Sequence, residues 1–308
     1  MKTTLDEATD VREQPGVVAD YLTLLKLRIA SFVGFSAFVG GLLAAPAGTS
    51  LVRVAEASLW VTLAAGAASV FNQVLERDTD RMMDRTRGRP LPAGRIAPRD
   101  ALFYAAILAL VSIGALGWRF NVLAAALSLA TMFSYVAVYT PLKRLSTLNT
   151  VVGAVPGAAP PLIGYAALSG DVRGWAWALF AIVFVWQFPH FMAIAWLYRA
   201  DYARAGMRML PSAVGGERIA GKAAILYSLV LLPVSLIPAV HGDAGVVFCA
   251  GTFVLGLIYM LASLWFALRP DRATARTLLF VSLIYLPLVL GLVLVDPATG
   301  VAHAHFSR

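Results

Sequence analysis

Nine separate runs of roughly 20 mostly apolar residues divide this chain, each long enough to cross a bilayer as one helix. They fall at about 29–46, 55–76, 101–118, 121–140, 148–168, 174–198, 221–240, 245–267 and 276–295. Hydrocarbon offers no hydrogen bonds to a backbone, so a spanning segment must satisfy its own, and runs of this length do so as helices. Only 14% of residues are charged, against about 25% in a soluble domain, and 59% are hydrophobic. The chain reads as an all-α integral membrane protein.

The basic residues test that count. With the N-terminus on the cytoplasmic side, the cytoplasmic segments hold Lys2, Arg12, Lys26 and Arg28, the seven arginines from Arg77 to Arg99, Lys143 and Arg144, the five cations from Arg199 to Lys222, and Arg269, Arg272 and Arg276. The outer segments keep Arg53, Arg119, Arg173 and Arg308. This asymmetry, 21 of 25 on one side, supports nine spans with the N-terminus cytoplasmic and the C-terminus outside. The net charge of +8 is concentrated between apolar helices, so anionic lipid and an anionic substrate explain it, and nucleic acid does not.

No acid-poor leader or short apolar region with a cleavage site opens the chain. Residues 1–16 are expected to be a disordered polar tail, 17–298 a single membrane domain, and 299–308 a short tail. Val17 to Arg28 mixes apolar and basic residues and is expected at the membrane surface. The single cysteine, Cys249, sits in an apolar run and can form no internal disulfide. His303 and His305 read as solvated tail residues, and His241 falls in an outer loop.

Polar residues then stand out against the apolar background. Asn72, Glu76 and Asp80 are spaced i, i+4, i+8, which stacks three oxygen-bearing side chains on one helix face, with Asp84 drifting around it. Arg85, Arg87, Arg89, Arg95 and Arg99 follow in a loop punctuated by Gly and Pro. Hard oxygen ligands beside guanidinium groups suit a phosphate-bearing molecule carried with Mg²⁺. The arginines alone are also what a basic loop after a membrane helix requires. The carboxylates, costly at a helix end in a membrane, are the stronger functional signal.

A second cluster, Tyr139-Thr-Pro-Leu-Lys143-Arg144, caps the fourth span, and its cations serve equally as topology markers or diphosphate contacts. A third lies in and after the sixth span. There Gln187, His190 and Asp201 are read as one helix face beside a break at Pro189, with Arg204 beyond. The fifth span carries Pro156, Pro160 and Pro161, read either as a packing kink or as room for a bulky ligand. A short echo links Arg89-Pro-Leu-Pro with Arg208-Met-Leu-Pro, each leading to Arg-Ile-Ala, as a duplicated helix-plus-loop unit would.

The Asn-x-x-x-Glu-x-x-x-Asp row followed by Arg85-Thr and Arg89-Pro-Leu resembles the first acidic motif of the UbiA-type intramembrane prenyltransferases. Tyr139-Thr-Pro-Leu-Lys-Arg, Pro160-Pro-x-Ile-Gly, Pro189-His-Phe and Asp201-Tyr-x-x-Ala-Gly-x-x-Met-Leu-Pro are similar to the heme-farnesylating branch, the protoheme IX farnesyltransferases or heme O synthases. The resemblance spans roughly residues 20–295. It implies nine helices around a central cavity opening toward the cytoplasmic side, in the plasma (inner) membrane of a bacterium.

The implied reaction moves a farnesyl group from farnesyl diphosphate to a vinyl group of heme b, with water added. It yields heme O and diphosphate, for heme-copper oxidase biogenesis. Membrane lipid surrounds both substrates, and heme A synthase or cytochrome oxidase assembly factors are the implied protein partners. Glu76, Asp80 and Asp84 would hold Mg²⁺, with Asn72, Lys143 and Asp201 completing the catalytic set. Lys143, Arg144, Arg85, Arg89 and Arg204 would bind the diphosphate, and His190 would face heme. Two departures matter: Glu76 stands where Asp is commoner, and the second acidic motif keeps only Asp201, with Ala205 one turn on. Transfer to a quinone or chlorophyll precursor is the competing enzymatic reading. A multi-spanning transporter is the competing class.

Overall fold

The computed structural model describes residues 16–212 and 215–301, and all regular structure in them is helical. The expected disorder of residues 1–15 and the two tail histidines lie outside the described residues. In chain order the helices are α1 (Val17–Leu24), α2 (Leu27–Ala44), α3 (Leu51–Leu75), α4 (Arg77–Arg81), α5 (Pro98–Arg119), α6 (Val122–Phe133), α7 (Thr140–Leu145), α8 (Asn149–Ser169) and α9 (Trp175–Leu197). They continue with α10 (Arg199–Arg204), α11 (Gly216–Ser235), α12 (Ile237–Val240), α13 (Val246–Leu268) and α14 (Arg272–Val295). A π-helical turn, Ser134–Tyr139, joins α6 to α7. Among the described residues nine segments are long and apolar enough to span, one for each run read from the sequence.

Two of the buried clusters among the spans are the largest. One core gathers α9, α11, α13 and α14 around Leu179, Ile182, Phe248, Tyr259, Phe266 and Tyr285. The other gathers α2, α3, α6 and α8 around Ala37, Ala57, Val61, Ala124 and Ile163. Lipid tails are as apolar as leucine, so helices associate here by close contact of small residues rather than by hydrophobic drive. The α2–α8 seam depends on this. A Cβ at Gly164 would meet the Ala37 carbonyl, and one at Gly40 would meet the Pro161 carbonyl. Gly164→Val is therefore expected to lower stability by about 1–3 kcal/mol, the usual cost of overpacking. Gly114→Ala on α5, where a Cβ meets nothing within 4 Å, should be neutral or better. Thermal midpoints of the two purified variants check this, and equal midpoints would show that the seam is not tightly packed.

The sequence echo has a structural counterpart. α3 breaks at Glu76 (φ −96°, ψ 6°) and continues as α4, and α9 breaks at Tyr198 (φ −111°, ψ 20°) and continues as α10. Both breaks sit near the sparsely allowed bridge region, where functional residues are often found. Both short helices lie at the same basic end of the bundle, bringing the two acidic motifs together.

α1 does more than lie on a surface. Asp20 is buried and accepts a paired hydrogen bond from Arg95 at 2.9 and 3.0 Å, while Tyr21 packs edge-on against Tyr104 of α5. Arg95 is thereby a structural clamp rather than a member of an anion-binding ring.

Candidate functional site

Asn72, Glu76 and Asp80 remain stacked across the α3–α4 break. The Glu76 N–H still donates to the Asn72 carbonyl at 2.9 Å, and the Asp80 N–H donates to that of Glu76 at 2.7 Å. All three side chains are buried, with Asp80 only 2% exposed, so this row is no solvated face. Each has its own partner. Asn72 donates to the Thr140 hydroxyl at 3.0 Å. Glu76 pairs with Lys143, whose Nζ lies 2.8 Å from Oε1 and 3.1 Å from Oε2. Asp80 accepts from Arg89 at 3.0 Å, and Arg144 donates to the Thr79 hydroxyl between them. Burial pushes the Asp80 carboxyl up, against the opposing pull of the Arg89 charge.

The fourth span supplies Thr140 and Lys143 because its helix changes pitch. The π-turn ends at Tyr139, two residues before Pro141, which has no N–H to give, and the Thr140 hydroxyl donates back to the Tyr135 carbonyl at 2.8 Å. The turn sets Lys143 Nζ 4.6 Å from the centre of the Tyr139 ring. Gly153 on α8 leaves room for that ring, since a Cβ there would collide with it. Sequence reasoning quoted Tyr139 and Thr140 only as parts of a motif. Pro141 was the available signal for the local change in pitch.

The remaining expected residues form a second cluster. Asp84 does not join Glu76 and Asp80: it is exposed, accepts from Arg204 at 2.6 Å, and that arginine also binds Asp201. Arg204 holds the Asp84 carboxyl below its usual range. Arg85 donates to the Tyr202 hydroxyl at 3.3 Å and stacks over the Tyr198 ring at 4.6 Å. The Arg208 N–H donates to the Lys143 carbonyl at 2.7 Å, tying the segment after α10 to α7. Three loops far apart in sequence thus close on one another. Among the described residues no group of three or more His, Cys, Asp or Glu stands close enough to share a metal ion, so the expected Glu76–Asp80–Asp84 set is not gathered here.

Beneath the first cluster an apolar cavity runs between α2, α3, α6 and α8. Lys26, Ser69 and Tyr135 stand near its basic end, and Met132, Pro160 and Ile163 line it further in. Pro156 and Pro160 of α8 therefore face open space, as one of the two readings of that stretch expected, while Pro161 packs against α2 at Gly40. α8 nevertheless continues through all three as one helix, and α9 continues through Pro189.

Lys26 is the residue that sequence reasoning missed, having placed it with the surface segment. It caps α2 in the left-handed region, φ 51°, the one non-glycine residue there among those described. Backbone strain of that kind persists only where the surroundings impose it, and it clusters at functional sites. Desolvation lowers its ammonium pKa to about 7, with the charges of Arg89 and Lys143 acting in the same direction.

Gln187, His190 and Asp201 do not share one face. Gln187 donates to the Ala154 carbonyl of α8 at 3.1 Å. His190 Nδ1 meets the Ser282 hydroxyl of α14 at 2.8 Å, and Asp201 lies beyond the Tyr198 break on α10. A three-residue step falls about 60° short of a full turn. On a helix enclosed by neighbours, that offset sends adjacent polar residues to different partners.

The chain has relatives of similar length. A protoheme IX farnesyltransferase of Solibacter usitatus is 39% identical over 286 residues, covering 90% of this chain and 98% of the relative. One of Marinobacter nauticus is 40% identical over 278 residues, covering 90% and 92%. Among solved structures, digeranylgeranylglyceryl phosphate synthase superposes with a TM-score of 0.75 at 16% identity, over 91% of this chain and 98% of that one. A UbiA homolog from Archaeoglobus fulgidus bound to DMAPP and Mg²⁺ superposes with a TM-score of 0.62 at 16% identity, over 90% and 99%. At that identity the two structures speak for the fold. Residues 33–284 match the UbiA prenyltransferase family, and with nine spans, the fold and these relatives in agreement, the chain belongs to that family.

Proposed function

We propose that this protein is a protoheme IX farnesyltransferase. It joins farnesyl diphosphate, heme b and water to give heme O and diphosphate. The observation that carries the reading is a buried Glu76–Asp80–Lys143 cluster close to an apolar cavity, linked by Lys26, which lines the cavity and feels the charges of all three. A lipid-like chain ending in a diphosphate has that polarity. The names of the relatives point to heme as acceptor.

A divalent cation fits the first cluster. Glu76 and Asp80 are hard oxygen donors one turn apart. Glu76 Oε1 is buried without a well-directed hydrogen bond, even though Lys143 lies beside it. Glu76 and Asp80 would hold Mg²⁺, which neutralises diphosphate charge as the allylic C–O bond breaks. Asn72 steadies the row through Thr140. Lys143, Arg89 and Arg144 stabilise the departing oxygens with charges already in place. Arg85 and Arg204 stand in the second cluster, where Asp84 and Asp201 hold Arg204 toward the same end of the bundle. The cavity keeps water from the farnesyl cation until the heme vinyl has attacked it.

The bundle spans 17–298 as one unit in a bacterial inner membrane. Its basic end and cavity mouth face the cytoplasm. A cysteine placed near Arg87 should stay unlabelled by an impermeant maleimide added to intact cells, and strong labelling would reverse the orientation.

Incubating the purified protein with heme b, an aromatic quinone precursor, Mg²⁺ and farnesyl diphosphate should give the mass-shifted porphyrin. A prenylated quinone precursor with no heme product would move the protein to another branch of the family. Absence of any prenylated product would remove the reading.

Lys26 gives a pH dependence. Its free ammonium titrates near pH 7. A bound diphosphate favours the charged form and raises that value, so binding takes up a proton. Affinity for a non-reactive farnesyl diphosphate analogue should therefore be greatest below pH 7 and fall as pH rises toward 9. Lys26→Arg keeps the charge and should flatten the slope. An unchanged slope in that variant would assign the titration elsewhere.

A further inference from the structure

His190 lies about four turns into α9, roughly 10 Å from the end nearest α10. Trp186 stacks against its ring, with centroids 4.9 Å apart and planes at 23°. Trp186 is itself fixed, since its indole N–H donates to the Ser282 carbonyl at 2.9 Å and the Tyr259 hydroxyl donates to the Trp186 carbonyl at 3.0 Å. The imidazole therefore has one face against an immobile indole and its Nδ1 edge against α14.

The Ser282 hydroxyl decides which nitrogen carries the proton. Ser282 is fully buried, and its Oγ lies 2.5 Å from the Leu279 carbonyl and 2.8 Å from His190 Nδ1. A serine hydroxyl has one proton. An approach of 2.5 Å between two oxygens needs that proton between them, and back-bonding to a carbonyl three or four residues earlier is a common serine habit in helices. Oγ then has only lone pairs left for His190, so Nδ1 must donate. That arrangement favours the Nδ1–H form of the neutral ring, with its lone pair on Nε2.

Nε2 makes no hydrogen bond among the described residues, and His190 as a whole is half-buried. No ion pair among them involves this imidazole, so nothing nearby holds it protonated. An unshared sp² nitrogen lone pair with fixed direction in apolar surroundings is what a ferric or ferrous porphyrin takes as an axial ligand. Histidine ligands generally have their second nitrogen fixed by an outer partner, which sets both tautomer and ring angle.

We propose that Ser282 is a positioning residue: it locks His190 in the Nδ1–H tautomer, so that Nε2 is presented to the iron of substrate heme b. This rests on the heme-acceptor reading above and adds the atom, the tautomer and the residue that enforces it. Neither nitrogen changes protonation in the transfer. The ligand holds the macrocycle while the vinyl carbon attacks the farnesyl cation and water adds to the cationic carbon left beside the ring, losing its proton to the released diphosphate or to solvent.

The test separates the two layers. In protein labelled with ¹⁵N-histidine, which has four histidines in all, the signals lost in His190→Gln identify this residue. They should show a protonated Nδ1 and a bare Nε2. Heme b titrated into wild-type protein should give an imidazole-ligated absorption spectrum. Ser282→Ala should weaken heme affinity on the order of 10-fold or more and alter that spectrum. Ser282→Thr, which keeps the hydroxyl, should restore both. An Nε2–H tautomer overturns the proposal. So does a Ser282→Ala variant with wild-type heme affinity and spectrum when His190→Ala has lost them, and in that case the heme contact of His190 survives. If His190→Ala itself binds heme unchanged, the proposal falls with the ligand reading beneath it. Binding of a farnesyl diphosphate analogue, expected to be unchanged in all these variants, reports that each is folded.

Discussion

Glu76→Gln and Asp80→Asn each reduce turnover by on the order of 10²–10³-fold or more while leaving the protein folded. The magnitude is that of removing one fixed electrostatic group from a reacting centre. The substitutions are chosen for what they keep. A glutamine at 76 still offers an oxygen to Lys143, now 2.8 Å away, and an asparagine at 80 still offers one to Arg89 at 3.0 Å. What is lost is the negative charge that a hard divalent cation prefers. Product formation from heme b and farnesyl diphosphate is the measurement, with the thermal midpoint as the folding control. Turnover within a few-fold of wild type in either variant would remove that residue from the proposed metal site.

The second large effect is at Lys143. Lys143→Met removes the cation beside a buried carboxylate: the side chains of the pair are only 13% and 10% exposed. Breaking a buried pair from one side costs about 3–5 kcal/mol, because the partner stays buried and uncompensated. The variant should therefore lose both activity and stability. Lys143→Met combined with Glu76→Gln should regain most of the stability and none of the activity, since a neutral amide needs no counter-charge. This pattern distinguishes a folding role from a chemical one. If the single variant is as stable as wild type, Glu76 is not an isolated charge without Lys143. If the double variant turns over heme, the pair is not needed for diphosphate departure.

The carboxylate row illustrates what local spacing can reveal. Asn72, Glu76 and Asp80 are one helical step apart, and they remain stacked even though the helix breaks at Glu76, because two backbone hydrogen bonds bridge the break. Asp84 illustrates the limit. It continues the spacing, but the chain has left the helix by then, and the side chain turns to Arg204, 120 residues away. Arg95 and Arg89 looked alike in the sequence, yet one clamps α1 through Asp20 and the other binds Asp80.

The sequence by itself determined the nine spans and their grouping of basic loops. Both follow from solvent: a backbone in hydrocarbon must be helical over a fixed length, and each cation has a preferred side. These are properties of a residue and its near neighbours, so they survive without a fold. Only tertiary structure decided the pairings: Glu76 with Lys143 across 67 residues, Arg204 with Asp84 across 120, His190 with Ser282 across 92. Those depend on which helix faces which and at what rotation. Small shifts in pitch set that rotation, such as the π-turn before Thr140 and the strained Lys26 before α2. A hydrophobic period along one helix carries no information about the partner chosen by each polar residue on it.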